Sequence, residues 1–212
     1  MDGESSFGPP SQVDMMDTRI EQLRNSSGEA DTHGLSNELV DSFLKIDPNL
    51  NIALDLAIKA RENLDDEVED LLVSLNESQF ARELQKDFVN FYEPSTVNPY
   101  IPLAAKGPWI ITTHGAVVHD NGGYGMLGMG HDPTEVMSSM SKSHVMANVM
   151  TPSVTHKRFA DTLKREVGHT RGACPFDRFI CMNSGSESVT VAMRISDINA
   201  RLMTDKEGPH QG

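Results

Sequence analysis

Near its carboxyl end the chain carries a run of large apolar residues, Phe179-Ile180-Cys181-Met182. The run is broken by Asn183-Ser184-Gly185-Ser186, and a segment of helical character follows from Glu187 to about Met203. Four apolar residues bounded by breakers have the pattern of a strand buried on both faces. A buried strand that turns directly into a helix constrains the chain to the α/β class. The turn is also a candidate anion site. A helix start presents N–H groups with no intrahelical acceptor, and its dipole favours negative charge. Gly185 lets a ligand approach the backbone, and Ser184 and Ser186 add hydroxyl donors. The same residues also suit an ordinary capping turn, since Ser184 and Glu187 have capping-box spacing.

Upstream, residues 1–34 are rich in Gly, Pro and Ser and poor in large apolar types, which predicts a disordered acidic tail. Within it, Met15, Ile20 and Leu23 are weakly periodic and allow a short helix around Asp14 to Arg24. Residues 35–93 form a helical amino-terminal region. Leu39, Phe43 and Ile46 recur at helical steps until Pro48. Leu50, Leu54 and Ala57/Ile58 make a second stripe, and Leu64, Val68, Leu71 and Leu72 a third. Asn76 or Ser78 caps a fourth helix, running from Gln79 through Leu84 to Phe91.

Residues 94–130 change character. Pro94, Pro99, Pro102 and Pro108 break helices. Trp109 to Thr113 and Ala116 to Asp120 are β-rich and flank a turn at His114-Gly115, which predicts a β-hairpin. A glycine-rich loop follows over 121–130. Asp132 is then the expected N-cap of a helix with Pro133 at its first position. His156 to Val167 is expected to form another helix, closed by Gly168.

Charge and cysteine content narrow the classes. With 31 acidic and 18 basic residues the formal charge is −13, which disfavours a nucleic-acid partner. No apolar run approaches the roughly 20 residues of a membrane span. Two cysteines, Cys174 and Cys181, and no visible targeting segment point to a reduced, cytoplasmic protein. His169, Cys174 and Cys181 do not have the spacing of a structural metal site, and His114 with His119 matches no standard ligand pattern, so no metal is expected. Ser184 and Ser186 lack the nucleophile-elbow context, and the 122–130 loop lacks the dinucleotide spacing.

The segment Asn183-Ser184-Gly185-Ser186-Glu187-Ser188-Val189 resembles the Ser-Gly-(Ser/Thr/Ala)-Glu-Ala motif of class III aminotransferases, which depend on pyridoxal 5'-phosphate (PLP). Ser188 stands where alanine is usual, and Val189-Thr190 where Asn-Glu or Glu-Ala is common. A second stretch agrees in order and distance. Pro102 to Gly107, the hairpin 109–120 and the loop ending in Gly130-His131-Asp132-Pro133 are similar to that family's early segment. The resemblance covers roughly residues 98–203 and nothing in 1–90.

The resemblance implies a partial PLP-dependent transferase fold of type I. Residues 94–130 would be of the small-domain type, and 131–212 would be the start of the large cofactor-binding domain. It implies PLP as cofactor, held at its phosphate by Gly185 and Ser186 with Ser184 alongside. It implies amino-group transfer from an amino acid or amine to an oxo-acid, by a homodimer when the protein is full-length. The family's reactive lysine, ring-stacking aromatic and ring-nitrogen carboxylate would lie beyond Gly212. None of the eight lysines present has the expected flanking residues, so this chain alone is expected to be inactive. The alternative expectation is a non-catalytic interaction protein that keeps part of this fold, with the acidic helices of 35–91 as its working surface.

Overall fold

The structure is a computed structural model that describes residues 17–89, 100–121, 128–145 and 150–209. The chain divides into two compact units, Met1–Ser143 and His144–Gly212. The described residues are mixed α and β, with eight helices and a three-stranded antiparallel sheet. The division falls after Ser143, so residues 131–143 belong with the hairpin rather than opening the following domain.

The first unit is built around α3 (Pro48–Glu62). Asp47 accepts the N–H of Asn49 at 2.9 Å, and Pro48 occupies the first helical turn, where its missing N–H costs nothing. Lys59 and Arg61 in the last turn complement the helix dipole. Leu50, Ala53, Leu54, Ala57 and Arg61 share the buried face. Two alanines on that face let β1 (Pro102–Lys106) and β2 (Trp109–Thr112) approach closely. On the flanks lie α1 (Thr18–Asn25), which contributes Ile20 and Leu23, and α2 (Asn37–Leu44), which contributes Val40. With Trp109, Ile111 and Val117 these residues make one apolar cluster.

The expected hairpin is present, with β2 paired to β3 (Val117–His119) in the register Trp109↔His119, Ile110↔Val118, Ile111↔Val117. Its turn is closed by Thr112, whose hydroxyl accepts the N–H of Ala116 at 2.9 Å, and by Gly115 at φ 73°. Strand β1 adds to the other edge of β2. The sequence shows Pro102 only as a helix breaker. In the structure it begins an edge strand, where a missing N–H is tolerated, and a bulge follows between Pro102 and Ala104. Residues 130–134 are tied back to this sheet. Gly107 and His131 exchange backbone hydrogen bonds, and Lys106 Nζ reaches Asp132 Oδ2 at 2.8 Å and Thr134 Oγ1 at 3.0 Å.

Four expectations need correction. Residues 17–34 are not a disordered tail: α1 is formed, and Ile20 and Leu23 are fully buried. The short helix that Ile20 and Leu23 allow is present, and both residues reach the core. Asp132 does not cap α6 (Thr134–Met140); it sits at φ 45° with its carboxylate on Lys106, and Pro133 takes the capping position. Helix α5 (Glu77–Gln85) ends well before Phe91, which lies outside the described residues together with 1–16 and 122–127. Phe179–Met182 forms no strand, and Ile180 is 65% exposed. A strand buried on both faces needs neighbours to pair with and layers to cover it, and the second unit has no strand among its described residues.

That second unit consists of α7 (Val154–Gly168), capped by Ser153, and α8 (Gly185–Thr204), capped by Ser184. Among its described residues only Gly168 is buried. Phe159, Met193, Ile198 and Leu202 are all at least half exposed.

Replacing Asp47 by Ala removes the α3 cap and leaves the buried Trp109 indole N–H, which donates to Asp47 Oδ2 at 2.7 Å, without an acceptor. A loss of about 2–4 kcal/mol in urea unfolding is expected, the sum of a cap and an orphaned buried donor. Asp47→Asn keeps a single acceptor oxygen, so it can serve one role but not both, and should recover only part of the loss.

Candidate functional site

Two places combine exposed or unsatisfied polar groups with defined geometry. The first is the turn Ser184-Gly185-Ser186, the only group of residues assigned a binding role from the sequence. Ser184 is extended at φ −144° and ψ 158°, and its hydroxyl accepts the N–H of Glu187 at 3.2 Å. The Glu187 carboxylate reaches back to the N–H of Asn183 at 3.0 Å. This is a capping box displaced by one residue, so the capping role of the turn is real. It leaves the N–H groups of Gly185 and Ser186 without an acceptor among the described residues. A Cβ added at Gly185 would meet nothing within 4 Å, and all three residues are exposed. The turn therefore offers two amides and two hydroxyls at the positive end of a 20-residue helix. It has the donors a phosphate needs, without a surrounding wall.

The second place was not visible in the sequence. Where α5 meets the hairpin turn, Glu77 and His114 are both sealed from solvent, with His114 Nδ1 4.0 Å from Glu77 Oε1. Glu77 is held by its other oxygen, which accepts the N–H groups of Asp31 at 2.9 Å and Thr32 at 2.7 Å. The imidazole bonds Thr113 Oγ1 at 3.0 Å and lies against the Phe80 ring, with centroids 6.4 Å apart. Burial pushes the His114 pKa below the usual imidazole value, only partly opposed by Glu77 and Asp31. Beside the pair opens a cleft of about 660 Å³ lined by Arg24, Ser27, Thr32, His33, Asn37 and His114, among others. Sequence spacing gave no signal, since residues 31, 77 and 114 lie on three separate elements. The one hint was an imidazole in a turn position where a smaller polar residue suffices.

The remaining candidates do not assemble. Cys174 and Cys181 are free thiols, and His169 is engaged with the carbonyl of Glu166 at 2.8 Å. His119 stacks edge-on against Trp109, with centroids 4.9 Å apart, and bonds Asn121 rather than approaching His114. No helix among the described residues is long and apolar enough to cross a membrane. In comparison with known proteins, the chain matches no family model, no curated protein and no solved structure.

Glu77→Ala would strand the buried N–H groups of Asp31 and Thr32. Unfolding followed by the fluorescence of the single tryptophan, Trp109, should show a loss of about 2–5 kcal/mol, the range for orphaning buried partners of a charged acceptor. Glu77→Gln keeps an acceptor of the same size and should lose less.

Proposed function

We propose that this chain is the amino-terminal portion of a PLP-dependent class III aminotransferase, with Ser184, Gly185 and Ser186 as contacts to the cofactor phosphate. The observation that carries the reading is the open turn at the start of α8. Its sequence is similar to the family's phosphate-contact motif, and its amides at Gly185 and Ser186 have no hydrogen-bond acceptor among the described residues. The order of elements before it supports the same reading: a hairpin, a Gly-His segment tied to that hairpin, and a helix.

In this reading the Gly185 and Ser186 N–H groups and the Ser184 and Ser186 hydroxyls take the phosphate oxygens, and the α8 dipole adds to their attraction. The absent side chain at Gly185 leaves room for the phosphate to sit against the backbone. Bound PLP supplies the electron sink for amino-group transfer between an amino acid or amine and an oxo-acid. The exposed apolar residues of α7 and α8, including Phe159, Met193, Ile198 and Leu202, are then the surfaces that the rest of a large-domain sheet would cover. On this reading the full-length protein is a cytoplasmic homodimer, and the chain alone does not transfer amino groups.

The test uses pyridoxine 5'-phosphate, which lacks the aldehyde and so reports phosphate binding without reaction at surface lysines. Equilibrium dialysis should show binding that inorganic phosphate displaces. Gly185→Asp introduces a carboxylate at a position that is open and favourable for an acidic residue in the first helical turn. The helix should persist by circular dichroism while binding weakens about tenfold or more. Equal binding by both proteins, or none by the unsubstituted chain, overturns the assignment.

A further inference from the structure

Helices α4 (Asp66–Ser74) and α5 are attached to the rest of the first unit differently from α1, α2, α3 and the sheet, which share its main apolar cluster. Their fully buried large apolar side chains are Leu72 and Phe80, and neither belongs to the main apolar cluster. What joins them to the body is polar, with Glu77, His114 and Arg61 buried and the Asp31–Ser78 bonds at its exposed rim. The Gly28 N–H donates to Leu72 O at 2.8 Å, and the Glu77 N–H to Glu29 O at 2.9 Å. Asp31 Oδ2 takes the Ser78 N–H at 3.0 Å and its hydroxyl at 2.5 Å. Arg61, at the end of α3, pairs with Glu69 and donates to Ser26 O. Glu77 and His114 sit at the centre of this seam.

The seam is incompletely satisfied. Among the described residues, the buried side-chain polar atoms with no hydrogen-bond partner are Thr32 Oγ1, Arg61 Nε, Glu77 Oε1 and His114 Nε2. All four lie here. Each is nearly inaccessible from the surface of the docked seam, and separation of the seam would expose all four to water together.

We propose that α4–α5 is an acid-releasable flap, docked at neutral pH and freed when His114 takes up a proton. A charged imidazolium at this position is sealed from water. Four ionisable groups face it or its immediate partners. Glu77, on α5, attracts it from 4.0 Å but has its other oxygen committed to two backbone amides. Asp31 attracts it more weakly, and the Ser78 hydroxyl and N–H hold its carboxyl below the usual value. Arg61 repels it, and His33 lies beside Asp31. Burial outweighs the two carboxylates, so the docked state resists protonation. The released state titrates near the ordinary imidazole value of about 6.5 and binds more protons just below it. Docking is thus fully favoured above that value and weakens as pH falls through it toward the lower docked pKa. The cluster of α1, α2, α3 and the sheet contains no part of the flap, so it survives release.

Hydrogen exchange read by mass spectrometry on the whole chain tests this, with rates corrected for intrinsic pH dependence. Between pH about 7.5 and about 5.5, residues 28–33 and 66–85 should lose protection by about tenfold or more, while α3 and β2 keep theirs. His114→Phe keeps an aromatic ring of similar size without a titrating nitrogen and should abolish the loss. Should that variant fold poorly, NMR titration of the His114 ring in the unsubstituted protein decides. Its midpoint should lie below about 6.5 and track the loss of protection. Unchanged protection of 66–85, a loss shared equally by α3, or a His114 midpoint at or above the ordinary value each overturns the proposal.

Discussion

The carboxylate of Asp47 joins the two halves of the first unit's core. One oxygen caps α3 through Asn49, and the other takes the indole N–H of Trp109 in β2. Burial opposes the charge, yet these hydrogen bonds hold the carboxyl below its usual range, so it is ionised where they form. The consequence is geometric. The start of α3 is fixed over the start of β2, and the face bearing Leu50, Ala53, Leu54 and Ala57 must then lie along the sheet. Phe43 is brought against the same indole, with ring centroids 4.9 Å apart, which sets the approach of α2. A single short polar side chain thereby orders three elements around one aromatic ring.

Where local chemistry determines structure, the sequence was legible. Pro48 after Asp47, the stripe Leu50–Leu54–Ala57, and the cap at Asn76 all foretell helices that exist, and the β-branched runs around His114-Gly115 foretell the hairpin. The capping spacing of Ser184 and Glu187 matches the cap of α8, although the helix begins at Gly185 rather than Glu187. Where tertiary contact decides, it was not. Phe179–Met182 has strand composition but no neighbouring strand to pair with among the described residues of its unit, and Ile180 and Met182 stay exposed. Asp132 has N-cap chemistry, but Lys106 draws its carboxylate away and its backbone turns left-handed. The Glu77–His114 contact joins residues 37 positions apart on unrelated patterns, and no local periodicity encodes it.

The two units distribute their apolar residues in opposite ways. In Met1–Ser143 most buried large side chains converge on one cluster, Leu72 and Phe80 excepted, and the unpartnered buried polar atoms among the described residues lie in one seam. In His144–Gly212 two well-capped helices keep their apolar rows in water. Capping and helix propensity supply local order there, but a helix of this length gains most of its stability from an apolar partner surface. The open Ser184–Ser186 turn and the exposed apolar rows therefore belong to the same helix, α8.

The outer edge of β3 is occupied. The Leu35 N–H donates to Val117 O at 2.9 Å, and Gly34, at φ 66°, is so close that a Cβ there would stand 2.5 Å from the same oxygen. A loop from outside the sheet thus fills the position where another strand would add. Exposed strand edges are a common nucleus for intermolecular sheet growth, and this one is obstructed by the protein's own backbone. The small sheet is therefore guarded on that side against templating fibrils. A side chain at position 34 would push the guarding loop away and leave the edge open.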